Sequence, residues 1–91
     1  MNASIATENV GLHLSRPIVA NDEIQFSAFG NGWGFCSYIL PARLAVERLG
    51  AANASRQQLN LAFQVNRQRI TQAVIEAGMP EPGKRVILLN V

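Results

Sequence analysis

The sequence predicts an α+β domain of two layers, in which a small antiparallel sheet carries two helices packed on one face. Two observations predict this architecture: alternating apolar residues dominate the first forty positions, and a long amphipathic helical pattern follows over residues 55–77. A last apolar run at residues 86–91 has the composition of a strand. The expected element order is therefore β-β-β-α-α-β, which fits a single domain over residues 1–91.

The first strand is expected at residues 10–14, where apolar residues alternate with small or polar ones. Pro17 ends this strand or places it at an edge, because proline cannot donate a hydrogen bond to a neighbouring strand. Residues 18–22 are interpreted as a connection. The preceding residues 1–8 are small and polar, and we expect this start to be loosely ordered.

A β-hairpin is the clearest feature of the first half. Residues 23–29 and 33–39 both alternate, and Gly30-Asn31-Gly32 lies between them. The Asn-Gly step favours the positive φ angles that a tight hairpin needs. The hairpin holds the aromatic residues Phe26, Phe29, Trp33, Phe35 and Tyr38. Such a sheet could stack nucleic-acid bases, but no RNA-binding signature surrounds these rings, and core or interface packing is the preferred interpretation.

Two helices and a strand are expected in the second half. Pro41 suits the first turn of a short helix over residues 41–49, and Gly50 supplies its left-handed stop. A long helix should run from Ser55, which forms a capping box with Gln58, to about residue 77. Residues 79–83 are then a turn. The near-continuous apolar run at residues 86–91 suggests a last strand inside the sheet.

Composition and charge restrict the function classes. The chain is 48% hydrophobic and 15% charged, which is more apolar and less charged than an average domain and favours self-association. Residues 1–54 hold three Arg against four acidic residues, a sum of −1, and residues 55–91 hold five cations against two acidic residues, a sum of +3. No dense basic run with interleaved aromatics is present, so a nucleic-acid interface is only weakly indicated.

No set of residues indicates catalysis or a cofactor. The single cysteine, Cys36, excludes an intrachain disulfide, and with only His13 beside it a metal site within one chain is not expected. Cys36 could act as a nucleophile if His13 lay close to it, but a buried, structural cysteine is the preferred interpretation. No two carboxylates have the spacing of a paired acid and base. We therefore expect no cofactor and assign no catalytic residue.

The long helix supplies the candidate binding residues. Asn66 falls within its apolar stripe, where a buried amide needs hydrogen-bond partners, and Arg67 follows it. Both are interpreted first as structural. Arg56 and Arg67 are eleven residues apart and share a helix face, which is either a solvated surface or a binding strip. Lys84 and Arg85 could extend that strip into one positive face.

Three stretches of the sequence resemble a known family. They are Ile24-Gln25-Phe26-Ser27-Ala28, the glycine-rich hairpin with Cys36 after it, and Phe63-Gln64-Val65-Asn66-Arg67-Gln68-Arg69-Ile70. In this order they resemble the short bacterial proteins of the domain of unknown function 1488 family, over roughly residues 10–90. Leu40-Pro41 departs from the Ser or Thr helix cap expected there. The resemblance implies a small cytoplasmic α+β domain and brings no established activity.

These observations favour a non-enzymatic protein-interaction or regulatory module that forms a homodimer. Leu61, Val65 and Ile75 lie off the main apolar stripe of the long helix, so this second flank could pack against the short helix or against a partner. The alternatives are a nucleic-acid-binding adaptor that uses Arg56, Arg67, Lys84 and Arg85, and, less favoured, a Cys36-dependent enzyme. The sequence has neither a secretory signal nor a run long enough to span a membrane, so we expect a cytoplasmic protein.

Overall fold

The computed structural model describes residues 11–91, and in them a sheet is packed against helices, which confirms the predicted α+β class. The expectation of a loosely ordered start at residues 1–8 lies outside the described residues. The strands are β1 (Leu12–Leu14), β2 (Ile18–Ala20), β3 (Glu23–Gly30), β4 (Gly34–Pro41) and β5 (Arg85–Ile87), and the helices are α1 (Ala42–Arg48), α2 (Arg56–Val65) and α3 (Arg67–Ala77).

The predicted hairpin is confirmed as β3 and β4, the two longest strands. They pair antiparallel from Glu23↔Pro41 to Gly30↔Gly34, and Gly32 has a φ of 81° in the connecting turn. Gly30 cannot carry a side chain, because a Cβ there would collide with the carbonyl oxygen of Gly11. The hairpin is therefore the centre of the sheet, and the chain leading into β1 passes close against its tip.

The sequence predicts a connection at residues 18–22, and this prediction is wrong. These residues contain the strand β2. Its residues Ile18, Val19 and Ala20 pair antiparallel with the first part of β3. Asn21 and Asp22 join the two strands with φ angles of 55° and 59°, the left-handed geometry of a two-residue hairpin turn. Asn and Asp tolerate these angles better than other residues with side chains, which allows such a short connection.

The sheet is mixed rather than wholly antiparallel. β1 and β2 both pair antiparallel with β3, at its opposite ends, whereas β5 runs parallel to β4. The helices between β4 and β5 explain the parallel pairing, because they carry the chain back across the sheet before β5 begins. A strand that returns through such a crossover enters the sheet in the same direction as the strand it left.

The last strand is shorter than expected and is not internal. It covers Arg85–Ile87 instead of residues 86–91, and among the described strands it pairs with β4 alone, at the end of the sheet. The apolar run has another cause, because Leu88 and Val91 leave the strand and are buried in the core. Arg48 holds this segment by donating from Nη1 to the carbonyl oxygens of Leu89 (3.0 Å) and Val91 (3.4 Å).

The single long helix that the sequence predicts is in fact two helices, α2 and α3, joined at Asn66. The Ser55 cap is as expected, since Ser55 Oγ accepts from the N–H of Gln58 at 3.3 Å. Asn66 departs from helical geometry, with a φ of −106° and a ψ of 24°. Its Nδ2 donates to the Ala62 carbonyl at 2.8 Å, and the same oxygen accepts the backbone N–H of Asn66 at 3.1 Å, so one carbonyl has two donors at the junction.

The core lies between one face of the sheet and the three helices. Phe26 is central to it, with its ring centroid 5.7 Å from that of Tyr38 and 5.1 Å from that of Phe63. None of the helices in residues 11–91 has the length and apolar character needed to cross a membrane. The largest side chains that are fully buried in this core are Tyr38, Phe63, Ile24, Leu40, Leu44, Leu59, Ile70, Leu88 and Val74.

Candidate functional site on the uncovered face of the sheet

The second face of the sheet is not covered by any helix of residues 11–91, and it is the candidate functional site. Side chains alternate along β3 and β4, so the residues next to the buried ones point to this other side. The strand registers arrange them in transverse rows, about 7 Å apart along the strands. This uncovered face consists of His13, Ile18, Ala20, Glu23, Gln25, Ser27, Phe29, Phe35, Ser37, Ile39, Arg85 and Ile87.

An aromatic row lies at the hairpin end of the uncovered face. Phe29 is paired with His13 on one side and Phe35 on the other. The ring centroids of Phe29 and Phe35 are 5.0 Å apart with an interplanar angle of 19°, and those of Phe29 and His13 are 5.6 Å apart. Phe35 is nevertheless 81% exposed. A large aromatic side chain held in place by a neighbour and open to solvent is suited to contact another molecule.

A polar row follows, and it forms the floor of a shallow pocket of about 160 Å³. Ser27 is paired with Ser37, and Ser37 with Arg85. Arg16, in the connection between β1 and β2, lines the same pocket at the opposite edge of the sheet from Arg85. Ser15 supports this edge, because its N–H donates to the Ser27 carbonyl and its Oγ accepts from the Ser27 N–H, both at 2.8 Å.

An aliphatic row comes next along the strands. It joins Ile18, Gln25, Ile39 and Ile87 in one register. Ile18 is 63% exposed and Ile87 is 57% exposed. Gln25 Nε2 donates to the carboxylate of Glu23 at 3.0 Å, which orients the amide between the isoleucines. The uncovered face therefore presents apolar groups on both sides of a polar row whose pocket is lined by Arg16 and Arg85.

Of the basic residues chosen from the sequence, the structure does not bring all four together. Arg85 lies on the uncovered face, and the exposed Lys84 directly precedes it. Arg56 begins α2, and Arg67 begins α3, so both belong to the helical layer on the other side of the sheet. The expected single face of Arg56, Arg67, Lys84 and Arg85 is therefore divided between the two layers of the molecule.

Asn66 ties the helical layer together. Its Nδ2 donates to the carbonyl oxygen of Leu49 at 2.9 Å, in addition to that of Ala62 at 2.8 Å. Leu49 ends the short helix α1, so one amide joins the end of α1 to the junction of α2 and α3. The polar residue found within an apolar stripe thus has backbone partners, as a half-buried amide requires.

Arg67 lies against the sheet rather than in solvent. Its Nε donates to Gln64 Oε1 at 2.8 Å, and its Nη1 donates to the carbonyl oxygen of Leu14 at 3.3 Å. Its Cζ is 5.3 Å from the centroid of the Phe63 ring, within the range of a cation–π contact. These contacts connect α3 to the end of β1, and they engage the guanidinium of Arg67 within the protein.

Cys36 and His13 lie on opposite faces of the sheet. Cys36 is paired with Ala28 on the helix-covered face, whereas His13 is paired with Phe29, the next residue along β3, on the uncovered face. Cys36 is buried, and its Sγ donates to the carbonyl oxygen of Trp33 at 3.4 Å. The arrangement needed for a thiol activated by the histidine is therefore not formed. Residues 11–91 also contain no group of three or more potential metal ligands among His, Cys, Asp and Glu.

Sequence reasoning did not find Arg16, Ser27 and Ser37. Ser27 and Ser37 are ordinary polar positions in two alternating strands, and the partner strands on either side could not be inferred from the sequence. Arg16 stands in a three-residue connection, where an exposed charge is ordinary. Only the register of β5 against β4 brings Arg85 into the row that Arg16 closes.

The second flank of the helical layer is partly as expected. Leu61 and Val65, one turn apart on α2, are 54% and 73% exposed. Ile75 on α3 is instead half-buried and packs against the core, so it is not available to a partner in the way the sequence suggested.

A scan of protein-family models and searches of the curated proteins and of the solved structures found no match to this chain.

Proposed function

We propose that this protein is a non-enzymatic interaction module that binds another protein on the uncovered face of its sheet. The observation that carries the proposal is the exposure of Phe35, Ile18 and Ile87 on one continuous face, on both sides of a polar row. Protein interfaces are enriched in aromatic side chains and arginine, and this face supplies both. The proposed kinship with the domain of unknown function 1488 family, and with it a bacterial cytoplasmic setting, brings no activity of its own.

The size of the uncovered face fits a transient contact. Four strands side by side and eight residues along β3 give an area of roughly 20 Å by 26 Å, or about 500 Å². A partner that covers it would bury about 1,000 Å² in total, near the lower limit of specific protein–protein interfaces. We therefore propose a partner that binds and dissociates, as regulatory partners do.

The charge of the face favours another protein over a second copy of this chain. Arg16 and Arg85 line one pocket, whereas Glu23 is the single acidic residue that residues 11–91 contribute to the face, and it already accepts from Gln25. Two copies placed face to face would bring four guanidinium groups together, and such like charges are costly in an interface. A partner with an acidic surface would complement the face instead.

Self-association remains part of the proposal, but on the helical layer. Leu61 and Val65 leave an exposed apolar strip on α2, on the side of the molecule opposite the uncovered face. A homodimer formed there would leave the uncovered face of each copy free for a partner. The Cys36-dependent enzyme has no support from the geometry around the thiol, and nothing in the described residues suggests a cofactor.

Nucleic-acid binding is the second candidate function. Because Arg56 and Arg67 lie in the other layer, it would have to use Arg16, Lys84 and Arg85 with Phe35 as a stacking ring. The aliphatic row is the argument against it, since isoleucine side chains offer nothing specific to bases or phosphates. Titration with an oligonucleotide separates the two functions.

The experiment that tests the proposed function is site-specific photo-crosslinking in cells, followed by binding measurements. A photoreactive amino acid is placed at Phe35 on the uncovered face or, as a control, at the exposed Gln68 on α3. We expect a defined protein to be crosslinked from position 35 and not from position 68. Once that protein is identified and purified, Phe35→Ser should weaken its binding about tenfold, as the loss of a central aromatic contact does.

The matched control is Val65→Ser, which removes an exposed apolar side chain from the helical layer. It should change self-association and leave partner binding as in the parent. Equal crosslinking from both positions, or parental binding by Phe35→Ser, would contradict the proposed use of the uncovered face.

A further inference from the structure

The pocket of the polar row has the composition of an oxyanion site. Arg16 lines it at the β1–β2 edge of the sheet and Arg85 at the β5 edge, and Ser27 and Ser37 lie between them. Arginine carries its charge at every physiological pH and offers five N–H donors, and each serine hydroxyl offers one more. Among residues 11–91, no acidic side chain lines the pocket. A volume of about 160 Å³ holds a carboxylate group with a few water molecules.

The geometry around the pocket indicates which oxyanion fits. The strand registers place the polar row between the aromatic row with Phe35 and the aliphatic row with Ile39, each about 7 Å away along the strands. An extended peptide repeats its side chains on one side at the same distance, because every second residue is about 6.8 Å further along. Such a peptide can place an apolar, an acidic and an apolar side chain on the three rows.

We propose that the pocket between Arg16 and Arg85 binds the carboxylate of an acidic residue in an extended peptide segment of the partner, with an apolar residue two positions before and two positions after it. This inference rests on the proposed function and specifies its ligand. The apolar residues contact Phe35 on one side and Ile18, Ile39 or Ile87 on the other. The carboxylate accepts hydrogen bonds from Arg16 and Arg85 and complements their positive charge.

The inference is tested with short capped peptides and ¹⁵N-labelled full-length protein. The probe is leucine-serine-glutamate-serine-leucine, and the matched control replaces the glutamate with glutamine. NMR titration follows the amide signals of Ser27, Ser37 and Arg85. We expect the glutamate peptide to shift these signals and to bind about tenfold more tightly than the glutamine peptide, since charge-assisted hydrogen bonds are the strong ones.

The variants Arg16→Gln and Arg85→Gln should each weaken binding of the glutamate peptide about tenfold and leave binding of the glutamine peptide unaffected. Arg43→Gln is the matched control, because Arg43 is exposed on α1 and changes the net charge equally; it should alter binding less than about twofold. Melting curves confirm that all three variants remain folded. An equal loss in Arg43→Gln would overturn the site, because it would show attraction to net charge alone.

Three other results would also overturn the oxyanion site. The first is equal binding of the two peptides, and the second is the absence of any shift of the amide signals by the glutamate peptide at about 1 mM. The third is tighter binding of a six-nucleotide thymidine oligomer than of the glutamate peptide at equal salt. The proposed function is decided separately. If the arginine variants still bind the crosslinked partner like the parent while Phe35→Ser does not, the uncovered face is an interface without an oxyanion site.

Discussion

The Tyr38 hydroxyl donates a hydrogen bond to the carbonyl oxygen of Gly78 at 2.8 Å, and so joins β4 to the residue that ends α3. The two residues are forty positions apart. The tyrosine ring is fully buried, and its hydroxyl reaches the helix end from within the core. Tyr38→Phe would keep the ring and leave the Gly78 carbonyl without this donor. We predict a loss of about 1–2 kcal/mol in the free energy of unfolding, measured by urea denaturation.

The control for this prediction is Phe35→Leu, which changes an exposed ring on the uncovered face and should leave stability within about 0.5 kcal/mol of the parent. Equal stability of Tyr38→Phe and the parent would show that water replaces the bond at the helix end.

A dependence of stability on alkaline pH is predicted from the same residue. Burial, and next the negative charge that Cys36 can carry, raise the pKa of Tyr38 from 10.0 to about 12. Because the folded protein disfavours the phenolate, this contribution to stability is fully present below pH 10 and is lost as the pH rises from about 10 through 12. Tyr38→Phe lacks the titrating group, so its stability should fall less over this interval. Parallel pH curves for the two proteins would contradict the prediction.

Asn66 is predicted to stabilise the helical layer. Asn66→Ala would leave the Leu49 carbonyl without its side-chain donor, at a cost of about 1–3 kcal/mol, and should lower the melting temperature. Arg67→Ala should also destabilise, because it removes the bond to Leu14 and the contact with Phe63. The exposed Gln68→Ala, next in the chain, is the control and should melt like the parent. If Asn66→Ala and Arg67→Ala also melt like the parent, neither residue has a structural role.

We predict a dimer at micromolar concentration, formed through Leu61 and Val65. Sedimentation equilibrium should give about twice the 9.9 kDa mass of the chain, and Leu61→Ser with Val65→Ser should return the monomer mass. Phe35→Ser on the other side of the molecule should remain dimeric. A single 9.9 kDa species at all concentrations would remove the dimer and leave the sheet-face proposal standing.

Slow reaction of Cys36 with thiol reagents is predicted for the native protein. The side chain is buried on the helix-covered face, and its Sγ donates a hydrogen bond to the carbonyl oxygen of Trp33. Labelling should require local opening of the sheet, so its rate should rise steeply with urea. Fast stoichiometric labelling near neutral pH would instead indicate an accessible thiol and revive the enzymatic alternative.

Local patterns predicted most of the helices and strands, but they did not predict how the strands pair. The alternation on either side of Gly30-Asn31-Gly32 predicts both strands of the hairpin, because period and turn chemistry are read from neighbouring residues. β2 was missed because Ile18, Val19 and Ala20 make too short a run to show a period. The break at Asn66 depends on the carbonyl of Leu49, seventeen residues earlier, which no helical pattern contains.

The candidate site was less accessible to sequence reasoning than the fold. Asn66 was chosen because it interrupts an apolar stripe, and Arg67 because it follows Asn66 and shares a helix face with Arg56. The structure gives both residues partners inside the protein. Arg16 and Arg85 interrupt nothing and become neighbours of one pocket only through the pairing of four strands. A surface formed by tertiary register leaves no local signal when each of its residues is ordinary in its own segment.

The two ends of the sheet affect how this protein can meet others. Among the described residues, β1 and β2 form one border and are separated by Pro17, which has no N–H to offer an incoming strand. The other border is β5, which is three residues long, begins with Arg85 and is directly preceded by Lys84, so two positive charges lie at its start. Short, interrupted and charged borders resist the addition of foreign strands, and with it the growth of aggregates. Encounters are thereby directed away from backbone pairing, so recognition must depend on side chains.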